Sequence, residues 1–159
     1  MKSTPEAGAA PKLADLRERA LRLLARREHS RAELSRKLGQ AAFAAEEIAP
    51  LLDEFEQKNW LSDRRFAESY VADHRARSGS VKLAYDLRQR GVPDAIIDAV
   101  LGDNRKSDLE RAHEIWSKKF GHAPADAAEK ARQMRFLYSR GFDAETIGRV
   151  IKGSMDQQA

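Results

Sequence analysis

Four histidines are the side chains best suited to acid–base or metal chemistry, and their spacing supports neither. No two of them are four residues apart, the separation that would place both imidazoles on one helical face. The sequence also has no HExxH, no glycine-rich phosphate loop, no GxSxG elbow and no cysteine. We therefore predict that the protein is not an enzyme and needs no cofactor and no metal. The histidines are His29, His74, His113 and His122.

Lysine and arginine offer a different chemistry, the binding of a polyanion. The net charge is only +4, yet basic residues cluster on three helix candidates, each of which comes just before a break. A stripe of such clusters would attract phosphates at long range and gain from counterion release. The alternative is an ordinary solvated surface, because Lys and Arg are common on helices and pair there with Asp or Glu. The clusters are Arg31, Arg36 and Lys37; Lys82, Arg88 and Arg90; and Lys130, Arg132, Arg135 and Arg140.

The clusters recur because the sequence repeats. "LRQRGVPDAIIDAVL" (87–101) returns as "LYSRGFDAETIGRVI" (137–151), and "LSRKLGQAAFAAEEIAPLL" (34–52) is a weaker copy. Each copy holds an apolar helix, a break, and a second helix with apolar residues at i, i+3 and i+4. Another helix candidate precedes each pair. The pattern predicts an all-α protein in which three tandem three-helix repeats stack into an elongated, curved array.

We place the boundaries of the repeats and of the two tails where the composition and the apolar pattern change. The repeats cover 13–59, 60–103 and 104–153, and the ends 1–12 and 154–159 are expected to be flexible tails. The first helices of the repeats are predicted at 13–27, 63–77 and 107–120.

The helix ends have local signals. Gly91 and Gly141 are expected to end helices in the left-handed conformation, whereas Ala42 stands at that position in the first repeat. "SRAE" (30–33) and "SDLE" (107–110) fit the capping box, which predicts N-caps at their serines. Further caps are predicted at Ser62 or Asp63 and at Asp143.

Aromatic residues are predicted to lie in the core. Those on the first helices of the second and third repeats follow helical spacing, as Phe66, Tyr70, Trp116 and Phe120. Three others, Phe43, Trp60 and Tyr138, stand near helix ends, where stacking on nucleic-acid bases is the alternative to core packing.

The chain has no apolar run near the roughly 20 residues that a membrane span needs. Its start, "MKSTPEAGAAPK", lacks the hydrophobic region of a secretion signal. We expect a soluble, cytoplasmic monomer with no membrane partner.

Four segments resemble the RecX family of bacterial recombination regulators. They are "HSRAELSRKL" (29–38), "WLSDRRFAESYVADHRARSG" (60–79) and "LRQRGV" (87–92), and "FLYSRGFDAETI" (136–147) is similar to the family's last repeat. The resemblance spans about residues 13–152 in family order. Ser62 replaces the first Asp of the family's usual Asp-Asp pair, and Ala42 replaces a glycine.

The resemblance implies a protein that binds the RecA recombinase filament on single-stranded DNA and inhibits its extension, ATPase and strand exchange. It implies a crescent of three-helix repeats with a basic concave face. Arg65, Arg75 and Gly79 match family-motif positions; the arginines are either structural ion pairs or filament contacts, and Gly79 is expected to permit a turn.

Two other functions stay open from the residues. One is a helical module that binds DNA directly, and the other is an interaction scaffold whose basic stripe only aids solubility. Arg90 and Arg140 have a structural alternative as well, because cations at a helix C-terminus stabilise its dipole by roughly 0.3–1 kcal/mol. The candidate residues for RecA or DNA contact are Arg31, Arg36, Lys37, Arg65, Arg75, Lys82, Arg88, Arg90, Arg132, Arg135 and Arg140.

Overall fold

A computed structural model describes residues 13–157, and all regular secondary structure in that range is helical. The all-α prediction and the three-helix repeats are therefore confirmed. The predicted tail at 1–12 lies outside the described residues. The helices are α1 (Leu13–Arg26), α2 (Arg31–Gln40), α3 (Ala45–Gln57), α4 (Asp63–His74), α5 (Ser80–Gln89), α6 (Asp94–Lys106), α7 (Asp108–Lys119), α8 (Ala127–Ser139) and α9 (Ala144–Asp156).

The end of α9 differs from the sequence expectation. Residues 154–156 are helical where the start of a flexible tail was predicted. Ser154 is buried, and its hydroxyl donates a hydrogen bond to the carbonyl of Ile151 at 2.6 Å. The helix continues because the Ser154 hydroxyl forms its hydrogen bond with the backbone of the last turn. Apolar periodicity in the sequence does not reveal such a local bond.

The first of two compact units consists of the described residues up to 66 together with 90–92. Its core arises from apolar residues four apart on single helices, such as Leu16 and Ala20 on α1 and Leu34 and Leu38 on α2. From α3, Ile48, Leu52 and Phe55 complete this core.

The second unit consists of 67–89 and the described residues from 93 onward. A core cluster in its third repeat forms where α7, α8 and α9 pack together. Trp116 is buried there, and its indole N–H donates to the side-chain oxygen of Gln133 at 2.8 Å, which satisfies both groups. Leu137, Phe142 and Ile147 surround the pair with apolar surface.

Three of the predicted N-caps are confirmed and one is wrong. The side chains of Ser30, Ser62 and Asp143 each accept a hydrogen bond from the amide three residues on. Ser107 makes no such bond, because its hydroxyl instead donates to the carbonyl of Asn104 at 3.0 Å. The Asp63 carboxylate instead accepts a hydrogen bond from the backbone amide of Arg31 in the first repeat, so of the two candidates Ser62 caps α4.

The break before the third helix of each repeat is left-handed in all three copies. The φ angles are +79° at Gly91, +91° at Gly141 and +68° at Ala42. The left-handed conformation is confirmed at both glycines, and Ala42 adopts it as well, at a cost of roughly 1–2 kcal/mol.

A contact between consecutive repeats explains why two breaks need glycine. In the first unit the Ser30 hydroxyl donates to the carbonyl of Arg90 at 2.6 Å; in the second the Gly79 amide donates to the carbonyl of Arg140 at 2.7 Å. A Cβ on Gly141 would lie 2.6 Å from the amide nitrogen of Lys82. Ala42 belongs to the first repeat and is exposed, so its Cβ meets no preceding repeat.

Gly79 is small for the same reason. Its φ is outside the left-handed region, and an added Cβ there would meet the carbonyl of Gly141 and the ring of Phe142. Gly79 does lie in the connection between α4 and α5, and the close approach of two backbones there is what excludes a side chain.

The aromatic predictions are confirmed in part. Phe66 and Trp116 are buried, and Tyr70, Phe120 and Phe43 are half-buried. The prediction is wrong for Trp60 and Tyr138, which are 43% and 49% exposed. Trp60 stands between the buried Phe55 and Leu61, and Tyr138 directly follows the buried Leu137, so burial of these neighbours does not extend to the two rings.

Candidate anion-binding surface

The basic residues of the first repeat are mostly neutralised by carboxylates. The Arg31 guanidinium lies 2.7 Å from the carboxylate of Asp53 and 3.1 Å from that of Glu56. Arg17 and Lys58 both bind Glu54, at 2.6 and 2.9 Å, and their hydrogen bonds lower the pKa of that carboxyl. Such pairs leave little net positive charge for a ligand.

Lys37 lies between a carboxylate and an uncharged ring, with its ammonium 3.9 Å from the carboxylate of Glu33. Its ammonium donates to Nε2 of the buried His29 at 2.9 Å, while Nδ1 of the ring donates to the carbonyl of Arg27 at 3.0 Å. Burial lowers the pKa of His29, in keeping with a neutral ring between a lysine and a backbone carbonyl. Arg36, on the same helix, is exposed.

Arg65 makes a structural ion pair. Its Nε donates to the carboxylate of Glu28 at 2.9 Å and its Nη1 to the side-chain oxygen of Asn59, also at 2.9 Å. The first of the two roles implied by the family resemblance, the ion pair, therefore describes its geometry in this structure.

Arg75 borders a buried polar cluster centred on Arg111. Arg111 donates to the carbonyl oxygens of Arg75 and Asn104, each at 3.0 Å, and pairs with the carboxylate of Asp108. Burial lowers the pKa of Arg111. The guanidinium of Arg75 is exposed and reaches the hydroxyl of Ser107 at 3.3 Å.

The second repeat contributes three basic positions with different surroundings. Arg88 lies 3.1 Å from the carboxylate of Asp94, an exposed pair of the kind worth about 0–1 kcal/mol. Arg90 is exposed, and its carbonyl accepts the Ser30 hydroxyl described above. Lys82 is exposed, and its backbone packs against Gly141.

Three cations of the third repeat lie on aromatic rings instead of carboxylates. Lys119 and Arg140 are 5.7 and 5.2 Å from the centroid of the Phe136 ring, and Arg132 is 5.7 Å from that of Phe120. The two rings meet edge to face at 5.4 Å. A ring holds a cation without cancelling its charge.

Lys119, Arg132 and the two rings border one surface cavity of about 540 Å³. This volume falls within the range of small-ligand sites. Within the described residues, its basic side chains have no carboxylate within ion-pair distance apart from one histidine–glutamate pair. The cavity is lined by Lys119, Phe120, His122, Arg132, Arg135 and Phe136, which we call the basic–aromatic cavity.

The histidine–glutamate pair is at the rim. Nε2 of His122 lies 2.6 Å from the carboxylate of Glu129, and this hydrogen bond raises the pKa of His122. Glu129 also accepts a hydrogen bond from the amide of Ala125 at 3.1 Å. This bond is the main cause, and the bond to His122 the second cause, of a lowered pKa of the Glu129 carboxyl. The one carboxylate near the cavity is thus already occupied.

Sequence reasoning identified part of this cavity. Arg132 and Arg135 were candidates, and Arg140 lies on one of its rings, but Lys119, His122 and Phe136 were missed. The available signal in the sequence was a basic residue directly before each of Phe120 and Phe136. The sequence does not show that folding places Lys119 and Arg140 over the same ring, that of Phe136. The other candidates are distributed over both units, and the single stripe stays a prediction.

A second cavity in the third repeat differs in charge. It measures about 510 Å³, and its lining includes the carboxylates of Glu110 and Glu114. Carboxylates disfavour an anionic ligand, so the basic–aromatic cavity is the better anion site. Within residues 13–157, no cluster of three His, Asp or Glu side chains is suited to a metal ion, and no helix has the length and apolarity for a membrane span.

Family models define the class of protein to which this arrangement belongs, a regulator built of tandem three-helix domains. The first, second and third three-helix domains of RecX match residues 17–55, 62–101 and 106–151, in that order. The chain belongs to the RecX family.

Similarity to individual RecX proteins supports the same family assignment. The chain is 48% identical over 142 residues to the regulatory protein RecX of Chromobacterium violaceum, covering 89% of this chain and 91% of that protein. It is 43% identical to the RecX of Ralstonia nicotianae over 139 residues, with 87% of each chain covered. The crystal structure of RecX from Lactobacillus salivarius matches with a TM-score of 0.78 over 89% of this chain and 95% of that one, at 19% identity, which supports the fold.

Proposed function

We propose that the protein binds the RecA recombinase filament on single-stranded DNA and inhibits its extension, its ATPase and its strand exchange. The observation that carries the proposal is the ordered match of all three RecX domains along one chain. The protein acts in the cytoplasm as a monomer and performs no chemistry of its own. Its relatives are named regulatory proteins, which supports a regulatory role.

The mechanism follows from repetition. A recombinase filament offers the same surface at regular intervals, and tandem three-helix domains offer similar helices at regular intervals along the chain. Several weak contacts made by one chain add up, since each later contact is intramolecular. A chain that occupies neighbouring protomers together would hinder both filament growth and the changes that accompany ATP hydrolysis.

Basic side chains of the second and third repeats, all exposed except the half-buried Arg140, are the proposed contact residues. Lys82, Arg88, Arg90, Arg132, Arg135 and Arg140 belong to this set. The third repeat has the stronger case, because its cations keep their charge while they rest on rings. Arg31 and Arg65 are weaker candidates in view of their ion pairs.

The test is the ATPase of RecA on single-stranded DNA while the protein is titrated below RecA stoichiometry. Strong inhibition at substoichiometric amounts supports the proposal. Unchanged hydrolysis at a one-to-one ratio, with the protein folded by circular dichroism, contradicts it. A variant with Arg88, Arg90, Arg135 and Arg140 replaced by Ala is expected to inhibit less at unchanged helicity.

A second candidate function is direct binding of nucleic acid, which the basic–aromatic cavity favours. In that case the effect on DNA does not need RecA, and affinity falls steeply with salt. An inhibition of RecA that persists at a salt concentration abolishing DNA binding by the protein alone would separate the two functions.

A further inference from the structure

We propose that Lys37 is a site of covalent acylation, with His29 as the base that takes up the proton released when the lysine amine reacts. The reagent is a small activated acyl compound, of the class of acyl phosphates and acyl thioesters. This inference goes beyond the proposed function and does not depend on RecA, because the reaction involves only this chain and a small acyl donor.

The arrangement is that of a nucleophile, a base and a group that orients the base. The Lys37 ammonium donates to Nε2 of His29 at 2.9 Å, inside the range of about 2.6–3.2 Å over which a base takes a proton directly. Nδ1 of the ring donates to the carbonyl of Arg27 at 3.0 Å, so the ring hydrogen lies on Nδ1 and the lone pair of Nε2 faces the lysine. A nucleophile bonded to an oriented base is the arrangement that prepares side chains for covalent chemistry.

The imidazole is available as a base at neutral pH. His29 is buried, with 1% of its surface exposed, and burial lowers the pKa of its ring, so the ring is neutral near pH 7. Two cations that face the ring, Arg27 and Lys37, oppose its protonation, and the carboxylate of Glu33 favours it. The second repeat contributes the backbone carbonyl of Arg90, which accepts a hydrogen bond from the serine beside His29.

The lysine, unlike its base, is open to a reagent. The Lys37 side chain is 31% exposed. Its ammonium has three N–H groups, so loss of a solvent-facing proton points the nitrogen lone pair outward while another N–H stays on His29. The carboxylate of Glu33 lies 3.9 Å from the ammonium, beyond hydrogen-bond distance, and binds Arg27 instead. No direct carboxylate partner therefore shields the amine on this side.

The reaction is an acyl transfer. After water removes one proton from the Lys37 ammonium, the nitrogen attacks the acyl carbonyl carbon and forms the C–N bond. The bond from that carbon to the phosphate oxygen, or to the thioester sulfur, breaks. The surplus proton on the nitrogen moves to Nε2 of His29 and from there to the leaving group. The product is a neutral amide, so the modification removes one positive charge from α2.

The experiment measures the acetylation rate of individual lysines of the full-length protein by mass spectrometry, with acetyl phosphate and separately with acetyl-CoA. Lys58 is the matched control, because its ammonium also donates at 2.9 Å, but to the carboxylate of Glu54. The Lys58 side chain is 44% exposed, so exposure alone predicts the faster reaction there. We expect Lys37 to react about tenfold faster than Lys58, because only its acceptor serves as a base at neutral pH.

The two donors distinguish the sources of the acyl group. The donor that gives the larger ratio of the Lys37 rate to the Lys58 rate identifies the source, and equal ratios above one mean that the site accepts both. A Lys37 that reacts no faster than Lys58 with either donor would overturn the proposal.

The variant His29→Gln separates the base from the hydrogen bond. A glutamine oxygen accepts a hydrogen bond from Lys37 but does not take up a proton at neutral pH. In the folded variant the rate at Lys37 is expected to fall about tenfold, toward that of Lys58, while the rate at Lys58 is unchanged. An undiminished rate at Lys37 would contradict the role of His29.

The wild-type protein gives a second readout that needs no substitution at a buried position. The ratio of the Lys37 rate to the Lys58 rate is expected to be high near neutral pH and to fall below about pH 6.5, as His29 takes up a proton. The Glu54 carboxyl, whose pKa is lowered by its bonds to Lys58 and Arg17, does not titrate there. A ratio that is independent of pH while circular dichroism shows a folded protein would overturn the proposal, whether or not the variant folds.

Discussion

The first and third repeats of the chain have the same three-helix plan and handle their positive charge in opposite ways. In the first repeat Arg17, Arg31 and Lys58 bind carboxylates, and the exposed Trp60 is contacted by cations that also bind Glu54. In the third repeat Lys119, Arg132 and Arg140 rest on Phe120 and Phe136, with no carboxylate partner among the described residues. Carboxylate partners thus cancel much of the positive charge in the first repeat, whereas cations that rest on rings keep their charge in the third.

The comparison teaches that partners decide what a basic cluster does. Both regions contain clusters of basic residues in the sequence. Only the cations that rest on aromatic rings keep their charge available to a ligand, because a carboxylate partner cancels it. The same contrast extends to arginines that serve the fold. The buried Arg111 of the third repeat bonds to two backbone carbonyls, while Arg31 of the first pairs with exposed carboxylates.

Replacement of Arg111 is expected to have the largest effect. Arg111→Leu leaves the carboxylate of Asp108 buried without its cation and removes a hydrogen bond from each of two backbone carbonyls, so the free energy of unfolding should fall by about 3 kcal/mol or more. Arg31→Leu breaks exposed pairs and should cost under about 1 kcal/mol. Urea unfolding measures both changes. Equal losses would break the distinction between the two arginines.

Substitutions in the left-handed turns of the third and first repeats, at Gly141 and Ala42, are expected to have the next largest effect on the free energy of unfolding. Gly141→Ala places a Cβ against the backbone of Lys82 at a positive φ, and should lower the free energy of unfolding by about 2 kcal/mol. Ala42→Gly relieves a strained φ with no neighbour to accommodate, so stability should change by less than about 1 kcal/mol in either direction. Thermal unfolding checks the pair, and a tolerated Gly141→Ala would refute the account of the contact between repeats.

Much of this fold could be predicted from the sequence, because apolar spacing and the repeat determine where helices form. Gly91 and Gly141 ended helices as expected, and Ser30 and Asp143 capped them. The prediction failed at Ser107, whose hydroxyl donates to the carbonyl of Asn104 and accepts from Arg111 instead of capping the helix.

The candidate site could be predicted only in part. Arg132 and Arg135 are visible as charges in the sequence, but their aromatic partners are not. Phe120 and Phe136 are sixteen positions apart and meet only through the packing of α7 on α8. Trp60 and Tyr138 were assigned to the core because a ring near a helix end usually packs inward, and no local signal shows where the core stops.

The histidines of the two repeats are expected to respond to pH with opposite sign. Burial lowers the pKa of His29 in the folded state, so its contribution to stability is present above about pH 6.5 and is lost as the pH falls below that value, when the unfolded chain takes up the proton. Glu129 raises the pKa of His122, so that contribution is present below about pH 6.5 and is lost as the pH rises through the raised pKa.

Nuclear magnetic resonance titration of the ring protons measures both histidines directly. His122 is expected to titrate above the ordinary value and to return toward it in Glu129→Gln, while His29 titrates below it. Effects on total stability should be small at His122, which is exposed. Two histidines that titrate alike would contradict the assigned partners.

The most direct test compares two double variants in the RecA ATPase assay on single-stranded DNA. Arg132→Gln/Arg135→Gln removes charge from the basic–aromatic cavity, and Arg31→Gln/Arg65→Gln removes the same charge from neutralised pairs. We predict that the first variant loses most of its inhibition while the second retains it, with helicity unchanged in both. Full inhibition by the first variant, or equal loss in both, would contradict the claim that the partners of a cation decide its function.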